Sequence, residues 1–209
     1  MAVEAVCWSD YLCPWCYVGQ HRDTVFESLG VPVTHLPFEL HPEIPAGGRP
    51  IRPDGPMQET FDRIEAACFE AGLPFRRPTR TPNTRRALET AEWVRVHHHA
   101  AFAALHRALF HAQFVTGDAL DDADVLDRLV ADAGAPAAHV RDAVNQGDAA
   151  ALVAASMHRA REAGVVSTPT WVVGELVIPG ALDPASIERW LRKILARNPG
   201  ASSRGEDRA

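Results

Sequence analysis

Ser9-Asp10-Tyr11-Leu12-Cys13-Pro14-Trp15-Cys16-Tyr17-Val18-Gly19 sets two thiols three positions apart, directly after a short apolar run. Val3 to Trp8 is rich in β-formers and alternates loosely, which predicts a strand. From Pro14 onward Val18, Arg22, Val25, Phe26 and Leu29 keep helical spacing. Proline is favoured at the first position of a helix, so Pro14 places Cys13 at the N-cap. Unpaired backbone N–H groups and the positive end of the helix dipole favour an anion there, and a thiolate is one. The arrangement predicts a depressed pKa and a nucleophilic role for Cys13. Cys16, one turn further in, is placed to attack a mixed disulfide formed at Cys13.

The same spacing makes half a zinc site, but zinc needs two further ligands, usually a second close pair. Cys7 and Cys68 stand alone and read as small buried hydrophobes. His97, His98, His99, His106 and His111 do not converge either, since consecutive residues point around a helix and only His99 and His106 share a face. No metal is assigned.

The chain has 209 residues, enough for one domain or for one domain carrying a large insertion. A net charge of −6 removes the electrostatic argument for nucleic acid or an anionic membrane as partner. No run of apolar residues is long enough to span a membrane. The N-terminus enters the first strand without the marks of a secretory signal, which gives a cytoplasmic expectation. In a reducing compartment a Cys-X-X-Cys pair is catalytic more often than a static staple.

Beyond Gly30, Val31 to Leu40 reads as a second strand, giving a βαβ unit with parallel strands and a right-handed crossover. Ligands of open α/β sheets bind beyond the carboxyl ends of the strands, where Cys13 lies. His41 to Pro56, rich in proline and glycine, reads as an irregular connection. Met57 to Gly72 is helical, with Phe61, Ile64, Cys68 and Phe69 or Leu73 as its stripe. Arg76 to Pro82 is a basic loop, either simply exposed or a contact for an anionic or peptide ligand. Further helices are expected from Thr84 to His97 under an Asn83 cap, from Ala100 to Val115, after Asp121 or Asp122, after Pro136, and from an Asp148 cap to Ala163. Thr170-Trp171-Val172-Val173, Gly174-Glu175 and Leu176-Val177-Ile178 form a tight hairpin. Asp183 and Pro184 then start a helix with Ile187, Trp190, Leu191 and Ile194 on its apolar face. These elements divide the chain into 1–42 and 164–198, the two parts of one α/β domain, with a helical insertion at 43–163 and a disordered tail at 199–209.

The order strand, Cys-X-X-Cys helix, strand, helical insertion, hairpin, helix resembles the thioredoxin-like proteins of the DsbA family. The opening motif, with Pro37-Phe38-Glu39-Leu40-His41-Pro42-Glu43 and Arg161-Glu162-Ala163-Gly164-Val165 leading to Thr168-Pro169-Thr170, is similar to the FrnE-like branch. The resemblance implies a cis-proline at Pro169 against the active-site pair, with the backbone of Thr168 presented to an extended substrate. Pro14 and Trp15 between the cysteines shape the rim, and Trp15 is also a candidate to stack on substrate. Asp10 and Glu39 are acid/base candidates, with Glu39 also a candidate for substrate contact. Their other readings are a loop cap for Asp10 and an arginine pair for Glu39.

These readings imply a thiol–disulfide oxidoreductase with Cys13 as nucleophile and Cys16 as resolving thiol. It would act on a protein or small molecule bearing a disulfide or dithiol, with no tightly bound cofactor beyond the redox-active disulfide. Glutathione or another low-molecular-weight thiol is a candidate co-substrate. The branch is also similar to kappa-class glutathione transferases and 2-hydroxychromene-2-carboxylate isomerases, which carry serine where Cys13 stands. A glutathione-dependent isomerase or transferase is therefore the alternative, and a redox-sensing interaction protein a third. The family often pairs, so a homodimer through stripes on the insertion is a further expectation.

Overall fold

The computed structural model describes residues 3–52, 55–180 and 182–197. The tail expected to fray, 199–209, lies outside the described residues.

The sheet is built around β1 (Ala5–Ser9), with β2 (Val33–Pro37) parallel on one side and β5 (Thr170–Val173) antiparallel on the other. The outer strand β6 (Leu176–Pro179) completes the order β2-β1-β5-β6. Gly174, at φ +62°, opens the turn joining β5 to β6, the left-handed conformation that the first position of a type II′ turn requires. Strand residues alternate between faces, and both faces of β1 are covered. Ala5 and Cys7 pack with Phe26, Trp171, Ile178, Ile187 and Leu191, under α1 (Pro14–Ser28) and α8 (Pro184–Arg197). Trp8 packs on the opposite face with Leu36, Ala160 and Val165, beneath α7 (Asp148–Glu162).

Between β2 and β5 run α2 (Gln58–Glu70), α3 (Arg85–His97), α4 (His99–His111), α5 (Ala123–Asp132), α6 (Ala137–Gln146) and α7. Their apolar faces meet in one cluster that includes Leu88, Leu105, Leu109, Phe110, Phe114 and Leu126. Tyr11, Cys13, Cys16 and Tyr17 belong to the same cluster. The start of α1 is thus where sheet and helices share a core.

Several local expectations are corrected. Both N-terminal strands are shorter than their apolar runs: β1 starts only at Ala5 and runs one residue past Trp8, and β2 is confined to Val33–Pro37, the stretch that pairs with it. The proline-rich connection and the basic loop are not wholly irregular: β3 (Arg49–Pro50) and β4 (Arg80–Thr81) form a two-residue antiparallel ladder. Leu73, rather than the 88% exposed Phe69, continues the stripe of α2, and Trp190 points partly outward from α8. The helix read to Val115 ends at His111 and gives way to a π-helical turn, Ala112–Thr116. Gly147, in the left-handed conformation, precedes α7, so Asp148 is its first residue and its side chain makes no capping bond. Thr84 occupies the N-cap of α3, while Asn83 Oδ1 accepts from the Arg85 N–H at 3.1 Å, one position earlier than a conventional cap.

Two glycines let the chain close around Pro169. A Cβ on Gly180 would overlap the Pro169 carbonyl oxygen and ring, whereas one on Gly19 would lie 3.3 Å from Pro169 Cγ, a contact a small shift relieves. Gly180→Ala is expected to cost about 1–3 kcal/mol, the range for overpacking, and Gly19→Ala less. Urea denaturation of the two variants checks the order.

Candidate active site

Cys13 is the N-cap of α1 and Pro14 its first residue, so the proline removes only an N–H that no helical carbonyl would have met. The Cys13 N–H donates to the Asp10 carbonyl at 3.0 Å, and the Cys13 carbonyl accepts from the N–H groups of Cys16 (3.0 Å) and Tyr17 (3.3 Å). Facing the sulfur is the loop before β5. The Cys13 thiol donates to the Thr168 carbonyl at 3.4 Å, and the Thr168–Pro169 peptide bond is cis.

The two thiols are driven apart in acidity. Cys13 is pulled below the usual thiol range, foremost by the Cys16 thiol, which donates to its thiolate. Burial opposes this shift, and the Thr168 side chain and the Cys16 N–H assist it. Cys16 is pushed well above that range by burial first, then by the bond it gives to Cys13 and by that sulfur's charge. The helix start, from which a depressed Cys13 pKa is expected, is only part of the cause. The backbone N–H contributes, but the partner thiol contributes more.

Asp10, weighed for acid/base work or a loop cap, does the capping and more. Its Oδ1 accepts from the Leu12 N–H (3.2 Å) and the Thr84 hydroxyl (2.7 Å), and its Oδ2 accepts from the Leu40 N–H (2.8 Å). It is fully buried, and burial raises its pKa to about 6 against the lowering effect of those three bonds. Its charge in turn raises Cys13. Glu39 is buried too. Its carboxylate is held by the Arg85 guanidinium, with Nε to Oε1 at 3.0 Å, so it stands behind Asp10 and raises that group. The arginine pair is what the structure gives Glu39. Trp15 is half-buried against the shared core, with the Arg63 guanidinium 5.7 Å from its ring centre.

Two neighbours escaped sequence reasoning. Thr84 comes from a helix 74 positions along the chain, and its N-cap position gave no hint that its hydroxyl would serve Asp10. His106 shares a 2.9 Å hydrogen bond with the Tyr11 hydroxyl and lies against His35, whose Nε2 is 3.2 Å from Asp23. Burial, then His35 and Arg107, hold His106 well below the usual imidazole range, so it is neutral. Of the histidines considered for metal only His106 is buried, while His97, His99 and His111 are exposed, and among the described residues no group of three or more His, Cys, Asp or Glu side chains is arranged to hold an ion.

A mixed sheet of order β2-β1-β5-β6, with a Cys-X-X-Cys pair at the start of α1 and helices inserted before the hairpin, defines a thioredoxin-like protein. The chain belongs to the DSBA-like thioredoxin domain family, which it matches over residues 5–192. It is 25% identical to the uncharacterised protein YwbO of Bacillus subtilis across 87% of this chain and 92% of that one. Among solved structures it is similar to a probable DsbA oxidoreductase from Streptomyces coelicolor, with a TM-score of 0.82, 23% identity, and 99% and 93% of the two chains covered. A 2-hydroxychromene-2-carboxylate isomerase shares the fold, with a TM-score of 0.77, 18% identity, and 96% and 100% covered. So does the cytosolic disulfide reductase DsbM of Pseudomonas aeruginosa, solved with GSH, with a TM-score of 0.65, 20% identity, and 92% and 99% covered. Among the described residues no helix is long and apolar enough to cross a membrane.

The raised pKa of Asp10 fixes a sign. The carboxyl is easier to protonate folded than unfolded, so its contribution to stability is fully present below pH 4 and is lost as pH rises through 6. Two units correspond to about 3 kcal/mol. Urea midpoints from pH 4 to 8 should fall with pH more steeply in wild type than in Asp10→Asn. Removing the charge should also lower the Cys13 pKa, read from thiolate absorbance at 240 nm. An unchanged Cys13 titration would refute the coupling.

Proposed function

We propose that this protein is a thiol–disulfide oxidoreductase in which Cys13 is the nucleophile and Cys16 the resolving thiol. The observation that carries this reading is the placement of Cys13 at the N-cap of α1 with its thiol on the Thr168 carbonyl, under the cis Thr168–Pro169 loop, and of the buried Cys16 one turn on. The Cys13 thiolate attacks one sulfur of a substrate disulfide, forming a mixed disulfide and expelling the other sulfur as a thiolate. Cys16 then loses its proton and attacks the Cys13 sulfur. The internal disulfide closes, and the second substrate sulfur leaves as a thiolate. The reverse sequence oxidises a dithiol. The Thr168 backbone offers an extended substrate strand-like pairing beside Cys13, which suits disulfides in varied sequence contexts. Glutathione or a similar small thiol is the natural resetting partner, a reading supported by the fold shared with a reductase solved with GSH.

The fold shared with an isomerase supports a second reading, in which a bound glutathione thiolate is the working group and Cys16 is dispensable. Titration against glutathione couples with thiol-trapping mass spectrometry separates the two. The oxidoreductase gives a reversible Cys13–Cys16 disulfide in wild type, and Cys16→Ser accumulates mixed disulfides through Cys13. Absence of an internal disulfide across the range, with glutathione held noncovalently, would overturn it in favour of the isomerase or transferase.

A further inference from the structure

The basic loop found in the sequence is left unused by the redox site, and most of its charge is already neutralised. Arg77 pairs with Asp62 and Glu65, each at 2.6 Å, and Arg80 pairs with Asp121 at 2.8 Å. Arg76 differs. Among the described residues no carboxylate pairs with it, yet it is firmly placed: its N–H donates to the Phe114 carbonyl at 2.7 Å and its Nη1 to the Thr116 carbonyl at 2.8 Å. Its guanidinium also lies on Gly117, where an added Cβ would sit 3.2 Å from Nη1. All three anchors belong to the π-helical turn or to the glycine that ends it.

The same turn carries Gln113, which is 6% exposed and whose side chain makes no hydrogen bond among the described residues. Gln113 lines a cavity of about 50 Å³ together with Arg76, Thr79 and Arg80. The Arg80 Nε–H is also buried without a partner. One water needs roughly 10–15 Å³, so this space admits a tetrahedral or planar oxyanion. Asp118, the one acid on the lining, pairs with Arg128 at 3.1 Å.

We propose that the cavity between the Arg76–Pro82 loop and the π-helical turn binds a small oxyanion, a phosphate or carboxylate, through Arg76 and Gln113. Arg76 supplies a fixed, unneutralised fork, and the Gln113 amide donates beside it, the combination that suits planar or tetrahedral oxygen groups. The site stands apart from Cys13 and does not rest on the redox reading.

Isothermal titration of the full chain with inorganic phosphate, and separately with acetate, at constant ionic strength tests this. The expected result is saturable one-site binding of at least one of the two. Whichever binds more tightly tells whether phosphate groups or carboxylates are the natural source. Affinity should weaken about tenfold or more in Arg76→Ala, the loss expected of a charge-assisted bond. It should weaken similarly in Gln113→Leu and stay unchanged in Lys193→Ala. Arg76 is on the surface, so its variant keeps the test alive if Gln113→Leu does not fold. No saturable binding in the tens of millimolar, or binding unaffected by Arg76→Ala, would overturn the proposal.

Discussion

The buried carboxylate of Asp10 is the constraint on which the site's geometry depends. Its oxygens collect donors from three separate segments: Leu12 ahead of α1, Leu40 beyond β2, and Thr84 at the head of α3. No apolar side chain could do this, because each of those donors would then be buried without a partner. The carboxylate therefore fixes the approach of the helices to the sheet at the point where Cys13 sits. The Asp10 backbone joins in, since its carbonyl receives the Cys13 N–H.

That position has an electrostatic consequence. Three donors favour the charged carboxylate, but burial outweighs them and carries the pKa to about 6. Near neutral pH the site thus holds a carboxylate whose charge opposes a thiolate at Cys13, while the Cys16 thiol, the Thr168 side chain and the Cys16 N–H favour one. Stabilising that thiolate lowers the free energy of the reduced dithiol, and the Asp10 charge raises it. The poise of the pair is a difference between these opposing effects, so a neighbour that leaves both cysteines untouched can still move it.

Legibility in the sequence followed the range of the interactions. The Cys13 N-cap, Pro14 as the first residue of α1, the Gly174 hairpin and the Asp183 cap, whose Oδ1 accepts the Ser186 N–H at 2.8 Å, all rest on contacts between near neighbours. Such signals can be read from types and spacing alone. Thr84 on Asp10, His106 on Tyr11 and the Met157 sulfur receiving the Glu39 N–H join residues 74, 95 and 118 positions apart. Periodicity carries no information about such pairings. Phe69 and Trp190 show the complementary failure, where a side chain of the right type at the edge of a stripe is left exposed because no neighbouring element among the described residues covers it.

The fold alone does not divide an oxidoreductase from an isomerase, since both kinds of protein superpose on most of this chain. The division has to come from the first turn of α1. A site that only held the thiolate of a bound small molecule would need donors at position 13 and nothing reactive one turn later. Here the residue one turn later is a buried thiol that acts on its partner: it is the first cause of the lowered Cys13 pKa. That donation couples the two groups in the reduced protein before any substrate arrives. In the proposed reaction, the proton that stabilises the Cys13 thiolate is the same proton Cys16 would lose to resolve a mixed disulfide. Once Cys13 is tied to a substrate sulfur its negative charge is gone, and with it both the hydrogen bond and the repulsion that hold the Cys16 proton in place. In the proposed oxidoreductase, formation of the adduct would therefore make Cys16 more acidic at the moment its thiolate is needed.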